Sequence, residues 1–102
     1  MILGELYPSA ATTTILYNAN IGLGAAGTLY FVNQAVALDS VQVAVTVNSN
    51  AMPSASAYLM YNAPALANYT VAVSDITLGL NQGLYVYSLN GTTSFTFIGS
   101  TL

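Results

Sequence analysis

Short runs of alternating apolar and polar residues, separated by turn residues, organise this chain. The clearest run is Ser40 to Val47, where Val41, Val43, Val45 and Val47 alternate with Gln42, Ala44 and Thr46. A period of two places the valines on one face of a β-strand. The same reading predicts strands over Thr12 to Tyr17, Gly27 to Gln34, Ala57 to Asn62, Tyr69 to Ser74, Leu84 to Leu89 and Thr93 to Ile98. Tyr58, Met60 and Asn62 should share a face, as should Val71 with Val73 and Phe95 with Phe97. Strand-forming Val, Ile, Thr, Tyr and Phe dominate, and no stretch has the period of an amphipathic helix.

Turn signals fall between these runs. They are Asn18 to Gly24, Ala35 to Asp39, Asn48 to Ser56 with its Pro53, Pro64 to Asn68, and Leu78 to Gly83. Asn90-Gly91 between the last two runs predicts a hairpin, because both residue types tolerate positive φ. Met1 to Ala11 reads as an extended arm, since Pro8 donates no hydrogen bond and restricts Tyr7. The expectation is one all-β domain over 12–102, an antiparallel β-sandwich, jelly-roll-like, of 7–8 short strands, with the arm over 1–11.

Composition changes the picture most through charge. Among 102 residues there is no Lys, Arg, His or Cys, and the acids are Glu5, Asp39 and Asp75 alone. Solubility then rests on Asn, Gln, Ser, Thr and backbone, or on surface hidden against neighbours. Nucleic acid and anionic membrane surfaces are excluded as partners, because both need cations on the protein. Disorder is excluded by 55% hydrophobic content at a net charge of -3. The longest apolar run, Leu23 to Val32, is broken by Gly and Thr and falls short of the roughly 20 residues of a membrane span. Met1 to Ala11 lacks the basic and apolar regions of a secretory signal.

Catalytic chemistry has little to draw on. Without His, Cys or Lys there is no common general base, no thiol or amine nucleophile and no soft metal site. Asp39 and Asp75 remain as an acid–base pair, or as turn residues capping local N–H groups, and the second reading is favoured. Glu5 is expected to be solvated or to touch a neighbouring subunit. A Ca²⁺ site at either aspartate lacks EF-hand spacing. Gly22, Gly24 and Gly27 match G-x-G-x-x-G, but no helix follows, so a loop between strands is expected. Asn68-Tyr69-Thr70 and Asn90-Gly91-Thr92 fit the glycosylation pattern by chance in an Asn- and Thr-rich chain. No catalytic, cofactor-binding or metal residue is assigned, and no enzyme is expected. The eight tyrosines divide between half-buried sheet positions and subunit interfaces, with glycan stacking a third role.

Three segments carry a resemblance. GELYPSAATTTILY (Gly4 to Tyr17), TLYFVNQAVALDSVQVAV (Thr28 to Val45) and the block from Tyr58 to Thr101 resemble, in order and spacing, small bacteriophage virion structural proteins. The chain departs from them at Asn18-Ala19-Asn20-Ile21-Gly22, where relatives carry a Pro-containing turn, and at their charged positions, which are neutral here. The resemblance implies a structural role: an exterior capsid decoration or cement subunit, or a tail, collar or fibre component touching host glycans. A non-viral extracellular filament is the remaining alternative. The implied partners are further copies of the chain, as a homotrimer or higher oligomer, and virion proteins such as the major capsid protein. With no Lys to guard the sheet edges, those edges are expected to be covered by neighbouring subunits.

Overall fold

A computed structural model describes residues 1–19, 24–47, 52–53 and 57–102. Eight antiparallel strands run in chain order: β1 (Ile2–Leu6), β2 (Thr14–Asn18), β3 (Ala25–Asn33), β4 (Asp39–Thr46), β5 (Tyr58–Ala65), β6 (Thr70–Leu78), β7 (Gly83–Ser88) and β8 (Thr93–Thr101). They form two four-stranded sheets, ordered β1-β8-β3-β6 and β2-β7-β4-β5. No helix among the described residues is long and apolar enough to cross a membrane.

The sheets pack face to face as a β-sandwich, and the period-two pattern supplies its filling. Leu29, Phe31, Phe95 and Phe97 from the first sheet meet Val41, Val43, Leu84 and Val86 from the second, all buried. Phe31 and Phe95 pack at a ring distance of 5.6 Å, and Tyr17 lies edge-on to Phe97 at 5.9 Å. The expected shared faces hold for Phe95 with Phe97, and for Val71 with Val73, which pack against the core. Val47 departs from the valine face: β4 ends at Thr46, and Val47 is exposed.

Three expectations need correction. Of the extended arm expected over 1–11, Ile2–Leu6 belongs to the sandwich, pairing with β8 as an edge strand of the first sheet. Leu3 and Leu6 pack against the core, and that burial draws the segment in. The last two strands are not a hairpin. β7 lies between β2 and β4 and β8 between β1 and β3, so the turn at Asn90-Gly91 crosses from one sheet to the other. Gly91 takes the left-handed conformation, with φ 68, while Asn90 does not. The turn predicted at Pro64–Asn68 also starts later, since β5 continues through Pro64 to Ala65. Most of the loop expected at Asn48–Ser56 lies outside the described residues.

The edges are guarded without lysine. Both inner pairings, β3 with β8 and β4 with β7, run in unbroken register. Each edge strand, by contrast, shifts register against its inner neighbour. Asn62 in β5 and Asp75 in β6 sit at these irregularities with φ of 51 and 61. Bulges, a proline and a charge on an edge all discourage pairing with another chain. On the β1–β2 side the sandwich is closed, and a Cβ on Gly4 would stand 2.6 Å from the Leu16 carbonyl oxygen.

Candidate functional site

One end of the sandwich is built from the connections β1–β2, β3–β4, β5–β6 and β7–β8. Beneath it lies a buried polar cluster whose members come from matching positions. Leu29, Phe31 and Asn33 alternate inward along β3, and Asp39, Val41 and Val43 along β4. Leu84, Val86 and Ser88 do so along β7, and Thr93, Phe95 and Phe97 along β8. Each of the four strands therefore places a polar residue at its inward position nearest this end.

Asp39 is the centre of the cluster and only 2% exposed. Its carboxylate accepts hydrogen bonds from Ser88 Oγ, from Thr93 Oγ1 at 2.6 Å, from the Asn90 N–H at 2.9 Å and from the Ser40 N–H at 2.8 Å. Burial alone would raise the Asp39 pKa, but the donors of Ser88, Thr93, Asn90 and Ser40 outweigh it and hold the carboxyl below its ordinary value. Asn33 is saturated in the same way. Its amide donates to the carbonyls of Ala37 at 2.7 Å and Ala65 at 2.9 Å. Its oxygen accepts from the Ala35 N–H at 3.1 Å and from Thr92 Oγ1 at 2.9 Å. Two side chains thus tie the β3–β4 loop to the β7–β8 loop and to the end of β5.

A carboxylate whose lone pairs are filled by fixed donors is a structural anchor. It is the capping role expected of Asp39, extended from local N–H groups to the distant N–H of Asn90. Asp75 does not join it: it lies exposed in the other sheet, within β6, and not at a strand end as expected. Asp75 borders a slot of ≈ 370 Å³ on the open side of the sandwich, with Val45, Leu59, Val73 and Ile76. Glu5 lies on β1 and borders a second groove, of ≈ 330 Å³, with Leu6, Tyr7, Ser94 and Thr96. Among the described residues no three acidic, His or Cys side chains gather as a metal site. Gly22 of the glycine pattern lies outside the described residues, and Gly27 sits inside β3 against β8. Asn68 occupies a turn with φ 60, and the Asn90 amide donates to the Leu38 carbonyl at 3.1 Å.

Above the cluster, the loop tips are apolar. Val36 is 94% exposed, and Leu38, Leu66, Tyr69 and Leu89 are also exposed. The tyrosines divide: Tyr85 is buried, Tyr17 packs on the core, and Tyr7, Tyr30, Tyr61 and Tyr69 reach solvent. Sequence reasoning missed Asn33, Ser88 and Thr93. Their signal was a polar residue continuing an inward apolar alternation. No family model, curated protein or solved structure matches this chain.

Proposed function

We propose that the chain is a non-enzymatic structural subunit of a bacteriophage virion, an exterior capsid decoration or cement protein acting as a homo-oligomer. The observation that carries this reading is the loop end. Exposed Val36, Leu38, Leu66, Tyr69 and Leu89 stand together on loops held rigid by Asp39 and Asn33. A rigid, uncharged, apolar patch suits a permanent contact with another protein.

The nested pairing of β1 with β8, β2 with β7, β3 with β6 and β4 with β5 supports the jelly-roll form of the sandwich. Guarded edges direct assembly to loops and faces and away from strand pairing. The absence of Lys and Arg fits an exterior position, since trypsin-like proteases find no site and electrostatic adhesion to anionic surfaces is suppressed. The sequence resemblance to small virion proteins points the same way.

The test is the copy number in purified particles of the phage that encodes the chain, by mass spectrometry after chymotrypsin. Hundreds of copies per particle support decoration. A few dozen or fewer move the subunit to tail, collar or fibre, and none removes it from the virion and favours a filament.

A further inference from the structure

The outer face of the first sheet follows from the alternation that fills the core. Phe95 and Phe97 point inward, so Ser94 and Thr96 point outward. Register sets Glu5 opposite Thr96 on one side and Tyr30 opposite it on the other. Residues directly opposite on neighbouring strands share a face, with Cβ atoms about 4.5–5.5 Å apart. A carboxylate, a hydroxyl and a phenol therefore stand in one row across β1, β8 and β3. Two members of this row, Glu5 and Thr96, line a groove of ≈ 330 Å³ between β1 and β8, together with Leu6, Tyr7 and Ser94. That volume lies at the lower end of the roughly 300–1,000 Å³ typical of small-molecule sites. Tyr7 is held at the groove by its hydroxyl, which donates to the Thr92 carbonyl at 3.3 Å, while its side chain remains 54% exposed. Ser94 Oγ accepts from Gln34 Nε2 at 3.2 Å, which fixes a second polar group at the rim.

The chemistry of the lining selects the ligand. With no Lys, Arg or His in the chain, nothing here can neutralise an anion. One carboxylate supplies too few oxygens for Ca²⁺, which takes about 6–8. What the groove offers is a charged acceptor, hydroxyls that donate or accept, and an aromatic surface. A pyranose ring matches all three, since its hydroxyls donate to a carboxylate and its C–H face packs on an aromatic ring. We infer that this groove binds a residue of a neutral glycan, with Glu5 accepting from sugar hydroxyls, Thr96 and Ser94 completing the hydrogen bonds, and Tyr7 as the stacking surface. The inference rests on the groove alone and not on a place in the virion. It is read on the purified protein, so its failure is separate from any copy-number result.

The experiment is an amide NMR titration of the labelled protein with glucose, galactose, N-acetylglucosamine and rhamnose, each alone, and with a trilysine peptide. The expected result is saturable shifts at residues 5–7 and 94–96 for at least one sugar, with Kd in the millimolar range usual for a small weak ligand. Glu5→Ala should weaken that binding by roughly tenfold or more, equivalent to about 1.4 kcal/mol. Tyr7→Phe, which keeps the ring but loses its bond to the Thr92 carbonyl, should weaken it less than Tyr7→Ala, which should lose it. Thr96→Val gives a second hydroxyl deletion should the Tyr7→Ala spectrum lose its dispersion, and it should also weaken binding. No saturable shift with any sugar, shifts elsewhere, or equal binding by Glu5→Ala would overturn the inference. Shifts at these amides with trilysine alone would replace it with a cationic protein partner.

Discussion

Thr93 Oγ1 donates a hydrogen bond to Asp39 Oδ2 at 2.6 Å, joining the first strand residue after the last turn to a carboxylate 54 positions earlier. The two residues belong to opposite sheets, β8 and β4. The bond therefore ties the layers of the sandwich together at one end. An ionised carboxylate is costly to bury, and its donors from Ser88, Thr93, Asn90 and Ser40 offset that cost. A fixed network of this kind explains how the loops at this end can carry apolar tips without collapsing onto the core.

Asp39→Asn should destabilise the fold by about 2–4 kcal/mol, because one of its two acceptor oxygens becomes a donor facing hydroxyl donors. Urea unfolding should show a lower midpoint with an unchanged slope. An unchanged midpoint would mean the carboxylate contributes little.

The pH dependence has a definite sign. The folded-state pKa of Asp39 is lowered, so its contribution is fully present above the unfolded value of about 3.9 and is lost as pH falls through the lower folded value. Thermal unfolding should change little between about pH 5 and 7, where the chain lacks the His that would titrate. Below about pH 4 the wild type should lose stability. Asp39→Asn should flatten that acid limb, and a limb of equal depth in both proteins would assign it elsewhere.

Gly27 and Gly99 face each other across β3 and β8. A Cβ on Gly99 would come within 2.6 Å of the Gly27 Cα, and one on Gly27 within 2.9 Å of the Gly99 Cα. Gly99→Ala should cost about 1–3 kcal/mol through backbone displacement. Gly79, whose Cβ would meet only the Gln82 side chain at 3.3 Å, is the contrasting position. Gly79→Ala should unfold close to the wild type in the same thermal scan.

Replacing Val36, Leu66 and Leu89 together by Ser should leave unfolding stability within about 1.5 kcal/mol, since each side chain is exposed and surface changes are usually within about 0.5. Self-association, measured by sedimentation, and retention on particles should both fall. A variant that assembles normally would place the contact on another face.

The β5–β6 edges give a further expectation. Pro64→Val and Asp75→Gly remove a proline and a charge from the open edges of the two sheets. Each should raise the tendency to aggregate, followed by light scattering, Pro64→Val by giving the edge a backbone N–H and Asp75→Gly by removing the edge charge. Glycine at position 75 also relieves its positive φ of 61, so aggregation would not trace to lost stability.

The alternation of apolar with small or polar residues determined the strands, and seven of the eight described were legible from it. Phe95 with Phe97 and Val71 with Val73 took their inward faces as the period required. Ile2–Leu6 was not legible, because its pattern is short and interrupted by Gly4, and its burial depends on β8, which lies some 90 residues on by sequence number. The Asn90-Gly91 signal correctly marked a turn, but a turn does not say whether its flanks will pair. Here β2 and β4 had already taken both sides of β7, so the chain crossed to the other sheet.

Composition, on its own, removed whole classes of chemistry and left three carboxylates whose roles it did not separate. Tertiary structure decided them. It sank Asp39 among four donors, left Asp75 at a bulge on an open edge, and set Glu5 beside a groove. The physical reason is that period two fixes which face a residue occupies, whereas a carboxylate's role depends on which donors reach it, and those came from strands paired across half the chain.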